Sequence, residues 1–195
     1  MVSSLQSRRR KEARPGEIAA AALELFVERG FATTRLDDVA ARAGVSKCTI
    51  YLYFADKEAL FRAAVEAAMT PAVEAAEALA GVEDRPAAEL LRCFVDGWWH
   101  MVGATTLGGL PKLLAAEAGN FPELAHWFHD AMIRRAQAAM ARIIALGSAR
   151  GEFRTLDADV AARIVFAPMF SYLIWQRAFN PEVCRLPPPE VFFTQ

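Results

Sequence analysis

Apolar residues recur at intervals of three and four along most of this 195-residue chain. That is the repeat of helices with one buried face, and no stretch alternates as a half-buried strand does. The first clear stripe is Ile18, Ala22, Leu25 and Phe26. With Pro15 suited to a first turn and Gly30 to an end, it predicts a helix over 15–29. Residues 31–34 connect it to a second stripe, Leu36, Val39, Ala40 and Ala43, with Thr34 as its expected cap. Gly44 permits a left-handed turn, Ser46 is placed to cap the next helix, and small Ala40 lets two helices cross closely. In that next helix Ile50 and Phe54 face inward, while Lys47, Thr49, Tyr51 and Tyr53 face outward. The spacing predicts a helix-turn-helix whose second helix has the division expected of one lying in a DNA major groove.

Further along, Asp56 is expected to cap a long helix from Lys57 to about Leu79, with a kink or break at Pro71. Residues 81–85 form a loop, and Pro86 opens a helix carrying Phe94, Trp98, Trp99 and Met101. The segment from Gly103 to Gly109 interrupts it. A short helix over 110–118 follows, then a long amphipathic helix over 121–146, broken by the segment from Gly147 to Gly151. Asp157 or Asp159 starts a last apolar helix reaching about Phe179. From Asn180 onward, Pro181 and the run Pro187 to Pro189 predict extended chain to at least Glu190. The fold class is therefore all-α.

Composition adds a core and a charge asymmetry. Hydrophobic residues make up 54% of the chain, enough for a substantial interior. Net charge is only −1, yet residues 1–62 hold 11 Lys and Arg against 8 Asp and Glu, and residues 63–195 hold 11 against 15. Positive charge thus lies beside the helix-turn-helix, where phosphates would be. Residues 1–14, with Arg8, Arg9, Arg10, Lys11 and Arg14, are expected to form a flexible basic arm, which reads equally as a minor-groove or phosphate contact and as a solvated tail. Cys48, Cys93 and Cys184 form neither a disulfide framework nor a CxxC pair and suit a reducing cytoplasm. The N-terminal basic run leads into polar sequence, not the apolar core of a signal peptide. The most apolar run, 164–175, is too short to span a bilayer and contains Pro168. A soluble, cytoplasmic protein with no membrane partner is the expectation.

The strings ALELFVERGF, AGVSK, TIYLYF and DKEALF, between Pro15 and Met69, resemble the DNA-binding domain of the tetracycline-repressor (TetR) family of bacterial transcription regulators. Beyond Met69 the likeness rests on helix order and on the phrases AEAGNFPEL and ARGEFR. The resemblance implies an N-terminal three-helix DNA-binding domain over 15–69 and a larger helical ligand-binding and dimerisation domain over 70–195. It also implies a homodimer on double-stranded DNA with a palindromic operator, and a repressor that a small molecule releases. Carried over by position, it has Lys47, Thr49 and Tyr51 approach bases or nearby backbone. Ser46, Tyr53 and Lys57 would hold phosphates, with Thr34 and Arg35 facing phosphate at the start of the preceding helix. Three departures stand out. Cys48 occupies a position where glycine is common, and Arg35 one where a capping Ser or Thr is common. After the prolines only 190–195 remain, so either a closing helix is missing from this chain or dimerisation relies on the helix over 159–179 and other surfaces.

The second half is rich in large flat and flexible side chains, most of which read as plain core. A pocket for an apolar or aromatic ligand would draw its lining from Trp98, Trp99, His100, Trp127, Phe166, Phe170, Tyr172 and Gln176. His126 and His129 share a helix spacing that metal ligands use, but no third ligand accompanies them. No nucleophile elbow, Cys beside His or glycine-rich phosphate loop is present, so neither an enzyme nor a cofactor is expected. Oxidation of Cys48 is a weaker alternative to its plain reading as a small residue near the interface. The rival to a ligand-responsive repressor is a DNA-binding protein whose second half only dimerises or binds a partner protein.

Overall fold

The computed structural model describes the backbone of residues 2–179 and 186–192, and the side chains of 14–179, 186–189, 191 and 192. The described residues form helices joined by turns, with no strand among them, and divide into two compact units, 1–70 and 71–195. In the first unit, α1 (Val2–Arg29), α2 (Leu36–Arg42), α3 (Lys47–Tyr51) and the start of α4 (Lys57–Leu79) surround one core. The predicted stripe Ile18, Ala22, Leu25 and Phe26 is buried there with Val39, Ile50, Leu60 and Phe61. Phe26, Phe31 and Phe61 meet ring to ring at centroid distances of 5.5, 5.2 and 5.4 Å. Burying each such ring contributes about 1.5–3 kcal/mol.

Expectations about helix boundaries at Pro15 and Pro71 are corrected. Residues 2–14 are helical and Pro15 lies inside α1 instead of opening it. The sequence there is rich in Leu, Gln, Arg, Lys, Glu and Ala, good helix formers that carry the backbone through a residue whose φ already suits a helix. The side chains of Arg8, Arg9, Arg10 and Lys11 lie outside the described residues. Pro71 neither ends nor splits α4. The last apolar helix, α9 (Ala158–Ala178), runs through Pro168 over nearly the span expected for it. Each proline costs one backbone hydrogen bond, and the residues four positions earlier, Ala67 and Ile164, are exposed, so the released carbonyls stay near water.

The second unit contains the rest of α4, then α5 (Ala87–Trp98), α6 (Leu110–Glu117), α7 (Pro122–Phe128), α8 (Arg134–Ala149), α9 and a short α10 (Pro189–Phe192). α10 begins at Pro189, so the extended tail stops sooner than expected; the fixed φ of proline favours a first helical position. Cys184 and the tail over 180–185 lie outside the described residues. Leu90 and Phe94 of α5, Met140, Ile143 and Ile144 of α8, and Ala162, Phe166 and Met169 of α9 form the core.

The phrase ARGEFR proves to be a local device. Gly151 takes φ 72°, letting the chain reverse after α8. Glu152 Oε2 then accepts from Ala87 N–H at 2.6 Å, capping α5, whose own N-cap residue Pro86 offers no side-chain acceptor. The Phe153 ring sits so close to Gly147 that a Cβ there would lie 2.3 Å from it. Gly147 is therefore a packing residue within α8, not the break expected from sequence. By length and composition α9 is apolar enough to cross a membrane, contrary to the shorter run read from sequence. One of its faces, Ala162, Phe166, Met169 and Leu173, is buried in this unit.

Candidate nucleic-acid interface and ligand cleft

α2 ends in a Schellman turn: Val45 N–H donates to Ala40 O at 2.9 Å and Gly44 N–H to Ala41 O at 3.3 Å, with Gly44 at φ 64°. Ser46 caps α3 by accepting from Thr49 N–H at 3.1 Å, and its hydroxyl shares a 2.8 Å hydrogen bond with that of Thr49. With Ile50 fully buried as the anchor of α3, the opposite face must look outward. It carries exposed Lys47, Cys48, Tyr51 and Tyr53 and part-exposed Thr49. α2 is fixed beneath by Arg42, which pairs with Glu24 and Glu28 of α1 at 3.1 and 3.0 Å. Among these groups, the Arg42 guanidinium holds the Glu28 carboxyl below its usual range.

Of the eight residues expected to meet DNA, six present themselves together: Arg35 beside α2, and Ser46, Lys47, Thr49, Tyr51 and Tyr53 on or beside α3. Two do not. Thr34 is 1% exposed, and its hydroxyl faces the carbonyls of Leu25 and Gly30 at 3.2 and 2.7 Å. Its hydroxyl serves the terminal carbonyl of Gly30 just past α1, and Arg35, without a side-chain cap bond, takes the N-cap position of α2. Lys57 is turned inward as well. Its ammonium donates to Phe31 O, Ala32 O and Thr34 O at 2.8, 3.1 and 3.2 Å and lies 4.6 Å from the centre of the Phe31 ring. These bonds tie α4 to the loop after α1.

Two members of this surface were not read from the sequence. Lys47 Nζ pairs with Asp37 Oδ2 at 2.9 Å, and the carboxylate raises the pKa of the lysine above its ordinary value. Leu52 is 80% exposed between the two tyrosines, so the surface has an apolar element beside its polar ones. The signal for Leu52 was available: a leucine one position past a tyrosine that faces out, on the side away from Ile50.

Among the described residues, most of the eight ligand-lining candidates pack against aromatic neighbours or bond to nearby backbone. Phe166 packs edge-on against Phe94 at 5.8 Å and beside Phe170 at 5.9 Å, and Trp98 covers Phe170 at 6.3 Å. Trp127 lies beside Phe128, and exposed His100 donates from Nδ1 to Asp96 O at 2.7 Å. Tyr172 is buried between Trp99 and Phe192 and donates to Pro187 O at 2.9 Å. These side chains satisfy one another, which is what large apolar groups do when a fold brings them close.

Trp99 and Gln176 instead line an open cleft of about 310 Å³ together with Gly103, Ala104 and Arg177. The helix widens there into a π-turn over Trp99–Gly103, closed by Ala104 N–H donating to Trp99 O at 2.8 Å. The indole of Trp99 folds over Gly103, where a Cβ would lie 2.3 Å from the ring. Arg177 enters from α9, donates from Nη2 to Thr105 O at 2.8 Å, and leaves Nε–H buried without an acceptor among the described residues. A buried donor left in this state costs about 1–3 kcal/mol. Arg177 escaped the sequence reading because it stands near the end of an apolar helix, where a basic residue serves the helix dipole as well as any ligand.

Comparison with known proteins gives a family match in each of the two units. Residues 18–64 match the family profile described as bacterial regulatory proteins, tetR family, and residues 89–185 match that of the tetracyclin repressor-like C-terminal domain. The HTH-type transcriptional activator FasR of Mycolicibacterium smegmatis is 39% identical over 56 residues, which cover 29% of this chain and only 26% of FasR. The HTH-type transcriptional regulator YdeS of Bacillus subtilis is 28% identical over 180 residues, 89% of this chain and 84% of that one. Among solved structures, the transcriptional regulator FadR from Bacillus subtilis, in complex with stearoyl-CoA, superposes with a TM-score of 0.69 at 22% identity, covering 81% of this chain and 84% of FadR.

Proposed function

Since the chain belongs to the TetR family of bacterial regulatory proteins, and is thereby a DNA-binding transcription regulator with a helix-turn-helix, we propose that it works as a homodimer on a palindromic operator and is released by a small molecule. The observation that carries the DNA half is the outward set Lys47, Thr49 and Tyr51 on a helix anchored by buried Ile50. Lys47 donates to guanine acceptors or phosphate, Thr49 bonds a base edge or packs its methyl on thymine, and Tyr51 reaches base or sugar. Arg35, Ser46 and Tyr53 hold phosphates on either side. Two such helices related by a two-fold axis read half-sites about 34–36 Å apart, one DNA turn.

The dimer half of the reading is supported by the outer face of α9. Val160, Ile164, Pro168, Ser171, Trp175 and Phe179 follow one another at helical spacing and are all exposed. On α8, Ala138, Ala145 and Ala149 are exposed too, small enough for close helix approach. An apolar stripe of this length on a single chain suits a second copy of itself. The ligand half rests on the cleft beside Trp99. FadR, of the same fold, carries stearoyl-CoA, and an effector with an apolar or aromatic body is the reading adopted for this chain. Because α4 contributes residues to both units, occupancy of the cleft is coupled to DNA through it, a coupling of about 1–3 kcal/mol in typical cases.

Selection of bound duplexes from random DNA tests the reading. Recovery of a palindrome with half-sites one turn apart is the expected result; a single asymmetric motif, or no enrichment at low salt, overturns it. Sedimentation of Ile164→Glu and Trp175→Glu tests the dimer face, both variants being expected to run as monomers.

A further inference from the structure

The cleft has a chemical character that an apolar ligand alone does not explain. Its described lining contains one cation, Arg177, and no carboxylate. That guanidinium makes a single side-chain hydrogen bond, to Thr105 O, and no ion pair among the described residues, while its Nε–H is buried with no acceptor. It does not sit there by default. Two glycines are needed to make the room: a Cβ on Gly108 would lie 2.4 Å from Gly103 O and 3.1 Å from Arg177 Nη2, and a Cβ on Gly103 would collide with Trp99. Lys112 Nζ holds Arg177 O at 2.8 Å, fixing the backbone from which the guanidinium projects.

A planar guanidinium with donors to spare is matched by the two oxygens of a carboxylate, in a paired geometry that a neutral amide does not reproduce. Beside it Trp99 offers an indole wall and Gln176 an amide. The volume, about 310 Å³, lies at the small end of ligand sites. Building on the effector reading above, we infer that this cleft takes a small organic carboxylate, its oxygens on Arg177 and its flat apolar body against Trp99.

Calorimetric titration of the free full-length protein with 2-naphthoate and its neutral isostere 2-naphthamide tests this. The acid is expected to bind at least about tenfold more tightly than the amide, a factor typical of a charge-assisted hydrogen-bonded pair. Arg177→Met should erase the preference and Arg177→Lys should retain part of it. Equal binding of acid and amide by the unaltered chain, or no binding of the acid at millimolar concentration, overturns the inference without any variant having to fold. A preference that survives in Arg177→Met overturns it too, and assigns Arg177 the plain role of tying the end of α9 to Thr105. Gel-shift titration separates this from the effector reading. Acid that binds through Arg177 but leaves DNA affinity unchanged retires the effector role and upholds the cleft. Release of DNA by a neutral compound acting equally on Arg177→Met does the reverse.

Discussion

Lys47 Nζ lies 2.9 Å from Asp37 Oδ2, so the first residue of α3 is held by the first turn of α2 on the surface proposed to face DNA. The carboxylate keeps the lysine protonated above its ordinary pKa, and it also places a negative charge where phosphates approach. Lys47→Ala is expected to weaken operator binding about tenfold and to lower the salt slope by about one. Asp37→Asn is expected to strengthen binding, because the ammonium no longer leaves a carboxylate when it turns to DNA. Fluorescence anisotropy at several salt concentrations measures both. Unchanged affinity in the two variants removes Lys47 from the interface.

The turn after α2 was legible because its chemistry is local: Gly44, Ser46 and the Ala40 contact each act within a few residues. The same holds for the caps Asp56 and Asp157, which accept from Ala59 N–H at 2.7 Å and Val160 N–H at 3.0 Å. What the sequence concealed depends on residues far apart. Lys57 reads as an exposed cation until the loop 26 positions earlier turns three carbonyls toward it. Thr34 reads as a cap for the helix that follows, whereas its hydroxyl serves the helix that precedes. In the second unit Trp98, Phe166 and Phe170 pack on one another, whereas Trp99 and Gln176 line a cleft beside Gly103, where a missing side chain leaves space that hydropathy does not register.

Thr34 and Lys57 should therefore report on stability and not directly on DNA. Thr34→Val removes a buried hydroxyl from two carbonyls and is expected to cost about 1 kcal/mol. Lys57→Met strips three carbonyls of a charged donor, and about 1–3 kcal/mol is expected. Urea unfolding gives both values. At temperatures where the variants are fully folded, their operator affinity should match that of the unaltered protein; a selective loss of affinity without destabilisation reinstates a phosphate role.

Glu77 and Arg135 form a two-point ion pair, Nε to Oε1 and Nη2 to Oε2, each 2.8 Å. The guanidinium hydrogen bond holds the Glu77 carboxyl below its usual value of 4.5. A carboxyl depressed on folding stabilises above its unfolded pKa and loses that contribution as pH falls through the folded one. The loss is thus confined to acid below about pH 4.5, and stability should be flat with respect to this pair from neutrality upward. Both side chains are 40% exposed, so solvent screening keeps the effect below about 1 kcal/mol. Melting temperature against pH should show a shallower acid limb in Glu77→Gln; an identical limb means that the pair contributes nothing.

Two glycines separate backbone strain from steric fit. A Cβ on Gly44 meets nothing within 4 Å, yet its φ of 64° is one that L side chains adopt at a penalty, so Gly44→Ala should cost about 1–2 kcal/mol. Gly147 is the opposite case. It lies within α8, where alanine is intrinsically the better residue by about 1 kcal/mol, but its Cβ would stand 2.3 Å from Phe153 and 2.8 Å from the Ala87 side chain. Overpacking of that kind costs about 1–3 kcal/mol and depends on the neighbour, so Gly147→Ala should lose part of its penalty when combined with Phe153→Ala, the close approach to Ala87 remaining. No neighbouring substitution should rescue Gly44→Ala. Denaturant midpoints for the single and double variants decide this, and additive costs for Gly147→Ala and Phe153→Ala would mean that the ring moves aside freely.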